Sequence, residues 1–272
     1  MTTSALMLTP SVLATVLLLG CGLSGGAHSR VAADTVFADD FEAGNLEAWQ
    51  DGVDPVRHRI VDQNGAQSGN RYLEITYPAG ADGGWLTRFL PRGYDSLYVS
   101  LWVRLPQSWQ GDTKLVALYG SRTDNPWSAF GQAGKCPTGT DFFAAMLVIN
   151  QTMRFYTYYP GMAREPDGVT CWGRFDDGRE TSATAAVSTE VWHHVEFWVK
   201  LNAPGRADAS QTFWLDGVEG GTWSGFSLRS ADVLRLNAVQ LTFSRGLSNA
   251  PAREHLDVDH VVVLTSRNDP LE

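Results

Sequence analysis

The chain has 272 residues, with 21 Lys and Arg against 30 Asp and Glu, a formal net charge of −9. At 43% apolar residues it can fill a core, which excludes a disordered chain, and its acidic balance excludes a protein that coats nucleic acid through a basic field. Ten Trp and 27 Gly with only 19% charged residues is a composition associated with secreted β-proteins that handle carbohydrate.

Residues 1–29 contain no Lys, Arg, Asp or Glu, so the whole net charge belongs to residues 30–272. Val12–Leu19 is a short apolar run, too short to span a bilayer but suited to a signal-peptide core. Leu18-Leu19-Gly20-Cys21 resembles a bacterial lipobox, although no Lys or Arg precedes the apolar run and Leu19 is bulkier than the usual Ala or Ser. The expectation is a lipoprotein-type signal peptide over 1–20, lipidation at Cys21, a flexible tether over 21–33 and one domain over 34–272. A plain signal peptide cut elsewhere is the alternative. The protein is then exported, to a bacterial cell envelope or beyond it, and meets the membrane only through its lipid.

Strand signals occur in turn at Arg71–Tyr77, Leu97–Leu105, Lys114–Tyr119, Phe142–Ile149, Met153–Tyr159, Val191–Leu201, Gln211–Asp216, Asn237–Ser244 and Leu256–Leu264. Each is rich in β-branched and aromatic residues and bounded by turn formers. No window carries a sustained helical stripe and no linker divides the chain, so the fold class is all-β: a two-layer sandwich, jelly roll or barrel. Alternation puts Val99, Leu101 and Val103 on one face and Tyr98, Ser100, Trp102 and Arg104 on the other. It likewise groups Arg154, Tyr156 and Tyr158, and groups Trp192, His194, Glu196, Trp198 and Lys200. Faces that mix aromatic and polar residues suit a sugar-binding groove, though any single Trp is more often core.

Besides Cys21 the only cysteines are Cys136 and Cys171, both in loop-like sequence. In an exported chain this pair is expected to form a disulfide that ties two loops together; two free thiols are the alternative. His193 and His194 have no Cys or Asp at ligand spacing and read as structural or edge residues. No Gln-x-His pair is present.

Three segments concentrate chemistry: Lys114-Leu-Val-Ala-Leu-Tyr-Gly120, Cys136 through Phe142-Phe-Ala-Ala-Met-Leu-Val148, and Arg154-Phe-Tyr156-Thr-Tyr158-Tyr-Pro160. After them come Trp192…Leu-Asn202-Ala-Pro-Gly205 and Leu241-Thr-Phe-Ser-Arg-Gly246. In order and spacing these resemble the family-14 polysaccharide lyases, which cleave alginate or glucuronate-containing chains and have a concanavalin A-like β jelly-roll sandwich. The resemblance spans roughly Thr113 to Gly246. It implies that Lys114, Tyr156 and Tyr158 are catalytic. The Ser and Arg of the family's Phe-Ser-Thr-Arg-type strand are missing here, their positions falling near Phe143 and Ala145. A second Gly is replaced by Ser121, and the closing Gly-Gly by Arg245-Gly246.

Lyase chemistry removes the proton α to a uronate carboxylate and expels the 4-linked oxygen. It therefore needs a cation to neutralise the carboxylate, a base and an acid. Lys114, with Arg154 beside the tyrosines, supplies the cations; Tyr156 or Tyr158 supplies base and acid. Arg154, Arg104, Trp102, Tyr119, Arg122, Gln240 and Arg245 are expected to bind substrate. Lys114, Arg154, Arg104, Arg122 and Arg245 are expected to form a positive island on the acidic protein. Catalysis requires no cofactor. The opening Phe37–Glu42 and closing Asp257–Val263 segments resemble the paired end strands of carbohydrate-active sandwiches. There Glu42 and Asp259, with carbonyls from Gln67–Asn70, would hold a structural calcium ion; solvated acids are the alternative. The partner is an acidic polysaccharide, and a monomer is expected. The competing functions are a non-catalytic glycan-binding lipoprotein and a structural envelope protein.

Overall fold

The computed structural model describes residues 34–62, 64–181, 184–245 and 252–267, with Met1 and Ala250. The expected signal peptide, the lipid-bearing Cys21 and the tether lie outside the described residues. The described residues from Asp34 to Arg267 form one compact unit. Among the described residues, no helix is long and apolar enough to cross a membrane.

Among the described residues fifteen strands occur in order: β1 (Thr35–Asp39), β2 (His58–Asp62), β3 (Arg71–Tyr77), β4 (Trp85–Tyr94), β5 (Ser96–Arg104), β6 (Thr113–Arg122), β7 (Phe142–Ile149) and β8 (Thr152–Tyr158). Next come β9 (Glu180–Thr181), β10 (Ala185–Ala186), β11 (Trp192–Lys200), β12 (Ala209–Leu215), β13 (Val218–Phe226), β14 (Leu234–Thr242) and β15 (Glu254–Leu264). They form two antiparallel sheets. One runs β2-β3-β15-β5-β11-β12-β13-β9, with β1 also paired to β15; the other runs β10-β8-β7-β6-β14-β4. This is the all-β jelly-roll sandwich expected from the sequence.

The strand signals at Arg71–Tyr77 and Phe142–Ile149 match β3 and β7 end to end. The chain ends pair as their patterning suggested, with Phe37 opposite Val263. β4 and β13 carry no such signal. Pro91 and Gly93 interrupt β4, while Gly220, Gly221 and Gly225 dilute β13. Both are held by their neighbours rather than by their own propensity.

The core lies between the sheets. Val99, Leu101 and Val103 of β5 and Val195, Phe197 and Val199 of β11 are fully buried and face Val116, Leu118, Phe143, Ala145, Leu147 and Phe155 of the other sheet. Phe155 alone touches the rings of Phe197, Phe213 and Trp223. Gly120 allows this density, because a Cβ there would lie 1.9 Å from the Phe143 ring. Asn202, from the Asn-Ala-Pro-Gly segment, is buried and has a fastening role. Its Oδ1 accepts the amides of Leu228 and Arg229, and its Nδ2 reaches the carbonyl oxygens of Ala203, Arg206 and Arg229. That segment marks the fold rather than the site.

Candidate active site

The outward face of the β10-β8-β7-β6-β14-β4 sheet carries the site. On β8, Arg154, Tyr156 and Tyr158 stand opposite Val148, Met146 and Ala144 of β7. Lys114 joins this face through a bulge. The register slips between Lys114 and Val116, so Lys114 faces Val148, while Ala117 faces Met146 and Tyr119 faces Ala144. In an unbulged strand, residues five apart such as Lys114 and Tyr119 would point to opposite sides.

Three adjoining cavities cover the face. One of about 130 Å³ is lined by Lys114, Tyr119, Gln132, Ala144, Met146 and Tyr158. One of about 540 Å³ is lined by Asp112, Lys114, Tyr156, Trp172, Phe175 and Arg245 among others. One of about 450 Å³ is lined by Tyr156, Glu165, Trp172, Arg174, Phe175 and Asp176. Lys114, Tyr156 and Tyr158 thus converge. The tyrosine hydroxyls are 3.5 Å apart, and the Lys114 Nζ lies 5.4 Å from the centre of the Tyr156 ring. Burial lowers the Lys114 pKa, with Asp82 opposing. Burial raises that of Tyr158, reinforced by the hydroxyl of Tyr156 and opposed by backbone hydrogen bonds from Gly173 and Gly134.

Those two glycines belong to loops that the disulfide joins. Cys136 and Cys171 are bonded, and the Cys171 amide donates to the Gly134 carbonyl at 3.0 Å. Arg174 and Thr157 exchange backbone hydrogen bonds, pinning the second loop to β8. Gly173 packs under Tyr156 so closely that a Cβ would lie 2.6 Å from its ring. A disulfide is a bond of oxidising compartments, in keeping with an extracellular protein.

Several expected site residues stand elsewhere. Trp102 and Arg104 lie on β5, on the outer side of the other sheet. Trp102 stacks on His194 at 4.9 Å, and Arg104 pairs with Asp257 at 2.9 Å between Tyr72 and Trp192. Alternation assigned their faces correctly, but could not tell which sheet carried the groove. Arg122 sits at the far end of β6, paired with Asp124 at 2.6 Å beside a separate cavity lined by Phe89 and Trp127. Arg245 borders the cavity of about 540 Å³, yet is buried against Tyr77 and Trp109 and paired with Glu254 at 2.5 Å. Arg154 reaches the site, but is paired with Asp112 at 2.5 Å and lies over Phe175 at 4.6 Å. The expected positive island is therefore not formed: these arginines are neutralised by adjacent carboxylates. Gln240 is buried under the face, donating to Thr87 at 2.8 Å and receiving the Tyr119 hydroxyl at 3.3 Å.

Phe143 and Ala145 point into the core; the groove-facing positions are Phe142, Ala144 and Met146. The floor beneath the tyrosines is thus apolar. Sequence reasoning missed the aromatic walls. Trp172 and Phe175, 45% and 40% exposed, stand beyond Tyr156; Phe89, Phe130 and the 51% exposed Trp127 cluster beyond Tyr119. The position of Trp172 and Phe175 just after Cys171 was the available signal.

His193 donates or accepts at Asp216 (2.7 Å) and Ser188 (2.9 Å), and His194 bonds Ser100 at 2.7 Å, all on the other sheet. For calcium, Glu42 Oε1 accepts the amides of Asn70 and Arg71, and Asp259 Oδ2 accepts those of Gln67 and Ser68. The loop thus meets both carboxylates through amides, where carbonyl ligands were expected. Asp259 Oδ1, however, is buried with no hydrogen-bond partner, an oxygen that fits a hard cation. A second acidic group, Glu74, His255 and Asp257, is already engaged by Arg59 and Arg104.

No protein-family model and no curated protein matches the chain by sequence. Solved structures share its fold. The marine PL-14 alginate lyase from Aplysia kurodai has a TM-score of 0.65 at 15% identity, covering 86% of this chain and 100% of that one. Alginate lyase Aly36B, solved as a lysine-and-tyrosine double variant in complex with alginate tetrasaccharide, has a TM-score of 0.61 at 14% identity, covering 88% and 95%. The endo-β-1,4-glucuronan lyase of the fungus Trichoderma reesei has a TM-score of 0.58 at 18% identity, covering 86% and 96%. The sandwich is one that alginate and glucuronan lyases use.

Proposed function

We propose that this protein is a polysaccharide lyase that cleaves a uronate-containing chain, of alginate or glucuronan type, by β-elimination. The observation that carries the reading is the meeting of Lys114, Tyr156 and Tyr158 on one sheet face, where Lys114 lines one cavity with Tyr158 and the adjoining one with Tyr156, on a fold that such lyases share. Fold alone would not carry it.

In this scheme the Lys114 ammonium neutralises the C6 carboxylate, so that negative charge can build at C5. Tyr156, whose ring lies against that ammonium, takes the C5 proton. The C4–O4 bond breaks as the C4=C5 double bond forms, and Tyr158 gives its proton to O4. Burial favours the protonated phenol at Tyr158, which suits the acid. Proton passage from Tyr156 to Tyr158 across 3.5 Å then restores the starting state. The scheme calls on no cofactor.

A calcium ion at Asp259, structural and remote from these steps, is part of the same reading, as are an exported monomer and a lipid at Cys21. The apolar floor at Ala144 and Met146 favours a second reading: a groove that binds glycan without cleaving it. Incubation with alginate and glucuronan, with absorbance of the unsaturated uronate as the readout, separates the two. New absorbance supports the lyase. Glycan binding with no product from any uronate chain would falsify it.

A further inference from the structure

We infer that Trp127, with Phe89 beside it, is a distal platform for a sugar ring of the same glycan chain that occupies the Lys114 groove, placed so far along that only a long chain reaches it. The inference deepens the lyase reading and rests on it for where the chain is cut. Cross-strand pairing puts the platform on the face that carries the site. Tyr158 on β8 stands opposite Ala144 on β7, and Ala144 opposite Tyr119 on β6. Tyr119 stands opposite Ala238 on β14, and Ala238 opposite Phe89 on β4. Partners across a ladder point to the same side, so these five residues form one row across the sheet. Its ends, Tyr158 and Phe89, are four strand spacings of about 4.8 Å apart.

The loop after β6 completes the row. Its Phe130 ring bridges Tyr119 at 4.8 Å and Phe89 at 5.6 Å. Trp127 meets Phe89 at 4.7 Å and Phe130 at 5.5 Å, edge-on in both contacts. Rings thus run without a break from the Lys114–Tyr158 cavity to a further cavity of about 170 Å³, lined by Phe89, Arg122, Trp127 and Asn237 among others. A lone exposed aromatic needs no explanation, but this one is both open and held. Trp127 is 51% exposed, while its loop is fastened to β6 on each side of it. The buried Ser121 accepts the Ala129 amide at 3.2 Å, and Ser128 accepts the Arg122 amide at 2.8 Å and donates to the Asp141 carbonyl at 2.9 Å. The Trp127 amide donates to Asn125 Oδ1 at 3.1 Å, and its carbonyl accepts the Phe130 amide at 3.0 Å. A ring fixed before binding loses little freedom when a ligand stacks on it. Arg122, the charged residue lining this cavity, is paired with Asp124 at 2.6 Å. What the cavity offers is therefore an aromatic face, which suits the C–H face of a pyranose whether or not it bears a carboxylate.

The test compares Trp127→Ala and Trp127→Phe with the parent protein on alginate and glucuronan oligosaccharides, from trisaccharides upward, and on the polymers. A trisaccharide cut beside Tyr158 leaves at most two sugars on the Phe89 side and falls short of Trp127. The expected result for Trp127→Ala is a kcat/KM about tenfold lower on the polymer, through KM, with a loss that shrinks to nothing at the shortest chain cleaved. Trp127→Phe keeps an aromatic face and should recover most of that loss. Equal losses at every length, no loss on the polymer, or no recovery with Phe overturns the inference and leaves the lyase reading standing. If no uronate chain yields product, the lyase reading fails, and calorimetric binding of the same chains decides the inference. Weakening by Trp127→Ala that grows with chain length supports it; weakening independent of length, or none, overturns it.

Discussion

Tyr156 and Tyr158 bring their hydroxyl oxygens to 3.5 Å of each other from alternate positions of one strand, with rings nearly perpendicular at 82°. The two phenols share a face but not an environment. Tyr158 is buried at 4% exposure between β7 and the disulfide-linked loops, while Tyr156 opens to the cavity beneath Lys114. Two chemically identical groups thereby stand in different surroundings, and burial holds the proton on Tyr158.

Tyr158→Phe removes the proposed acid while keeping the ring that packs against Phe142. Turnover is expected to fall by about 10²–10⁴-fold, the usual worth of a general acid, with glycan affinity within a few-fold. Initial rates and calorimetric affinity on the same polymer check this. A loss of affinity with unchanged turnover per bound chain would make Tyr158 a binding residue.

The pH profile tests Lys114. A carboxylate neutraliser must be charged, so the rate should fall as pH rises through the lysine pKa. Burial lowers that pKa, so the alkaline fall should begin at a lower pH than an exposed lysine would give. Lys114→Arg keeps the charge throughout, and any activity it retains should show an alkaline limb moved upward. Lys114→Ala should be inactive at every pH. An unmoved limb in an active arginine variant assigns the titration to another group.

The disulfide is expected to matter to turnover as well as to stability. Gly134 and Gly173, whose backbone groups reach the Tyr158 hydroxyl, each lie two residues from one of its cysteines. It closes a separation of 35 residues, for which loss of the cross-link costs about 2–4 kcal/mol. Replacing Cys136 and Cys171 by Ser should lower Tm and reduce kcat at temperatures where the protein remains folded. Circular dichroism with rates taken well below Tm separates the effects. A lower Tm with unchanged kcat would mean that the loops hold their place without the bond.

The sequence made the layers of this fold legible because strand alternation is local. Val99, Leu101 and Val103 could be assigned to the core from β5 alone. It could not say that β5 and β8 lie in different sheets, since pairing order depends on contacts between distant strands. Trp102 and Arg104 were therefore joined to a groove they do not enter. Lys114 entered the candidate site by resemblance, while the bulge that brings it to the face of Tyr119 breaks the period on which a face assignment rests. The paired state of Arg154 and Arg245 was hidden for the same reason: Asp112 is 42 residues from Arg154, and Glu254 approaches Arg245 only through folding of the two sheets.

Calcium removal is the remaining test. Asp259 Oδ2 holds the amides of Gln67 and Ser68, and Glu42 Oε1 holds those of Asn70 and Arg71, so one short loop is tied to β15 and to the segment after β1. Burial leaves Asp259 Oδ1 without a donor, and burial also raises the Asp259 pKa. An ion at that oxygen would offset the desolvation cost and bind only the folded state, so that chelation destabilises by mass action. Chelator should lower Tm, excess calcium should restore it, and Asp259→Asn should abolish the response. The site is remote from Lys114, so kcat on folded protein should be unchanged throughout. A Tm indifferent to both chelator and calcium would leave Asp259 as a loop clamp that works through its amide hydrogen bonds alone.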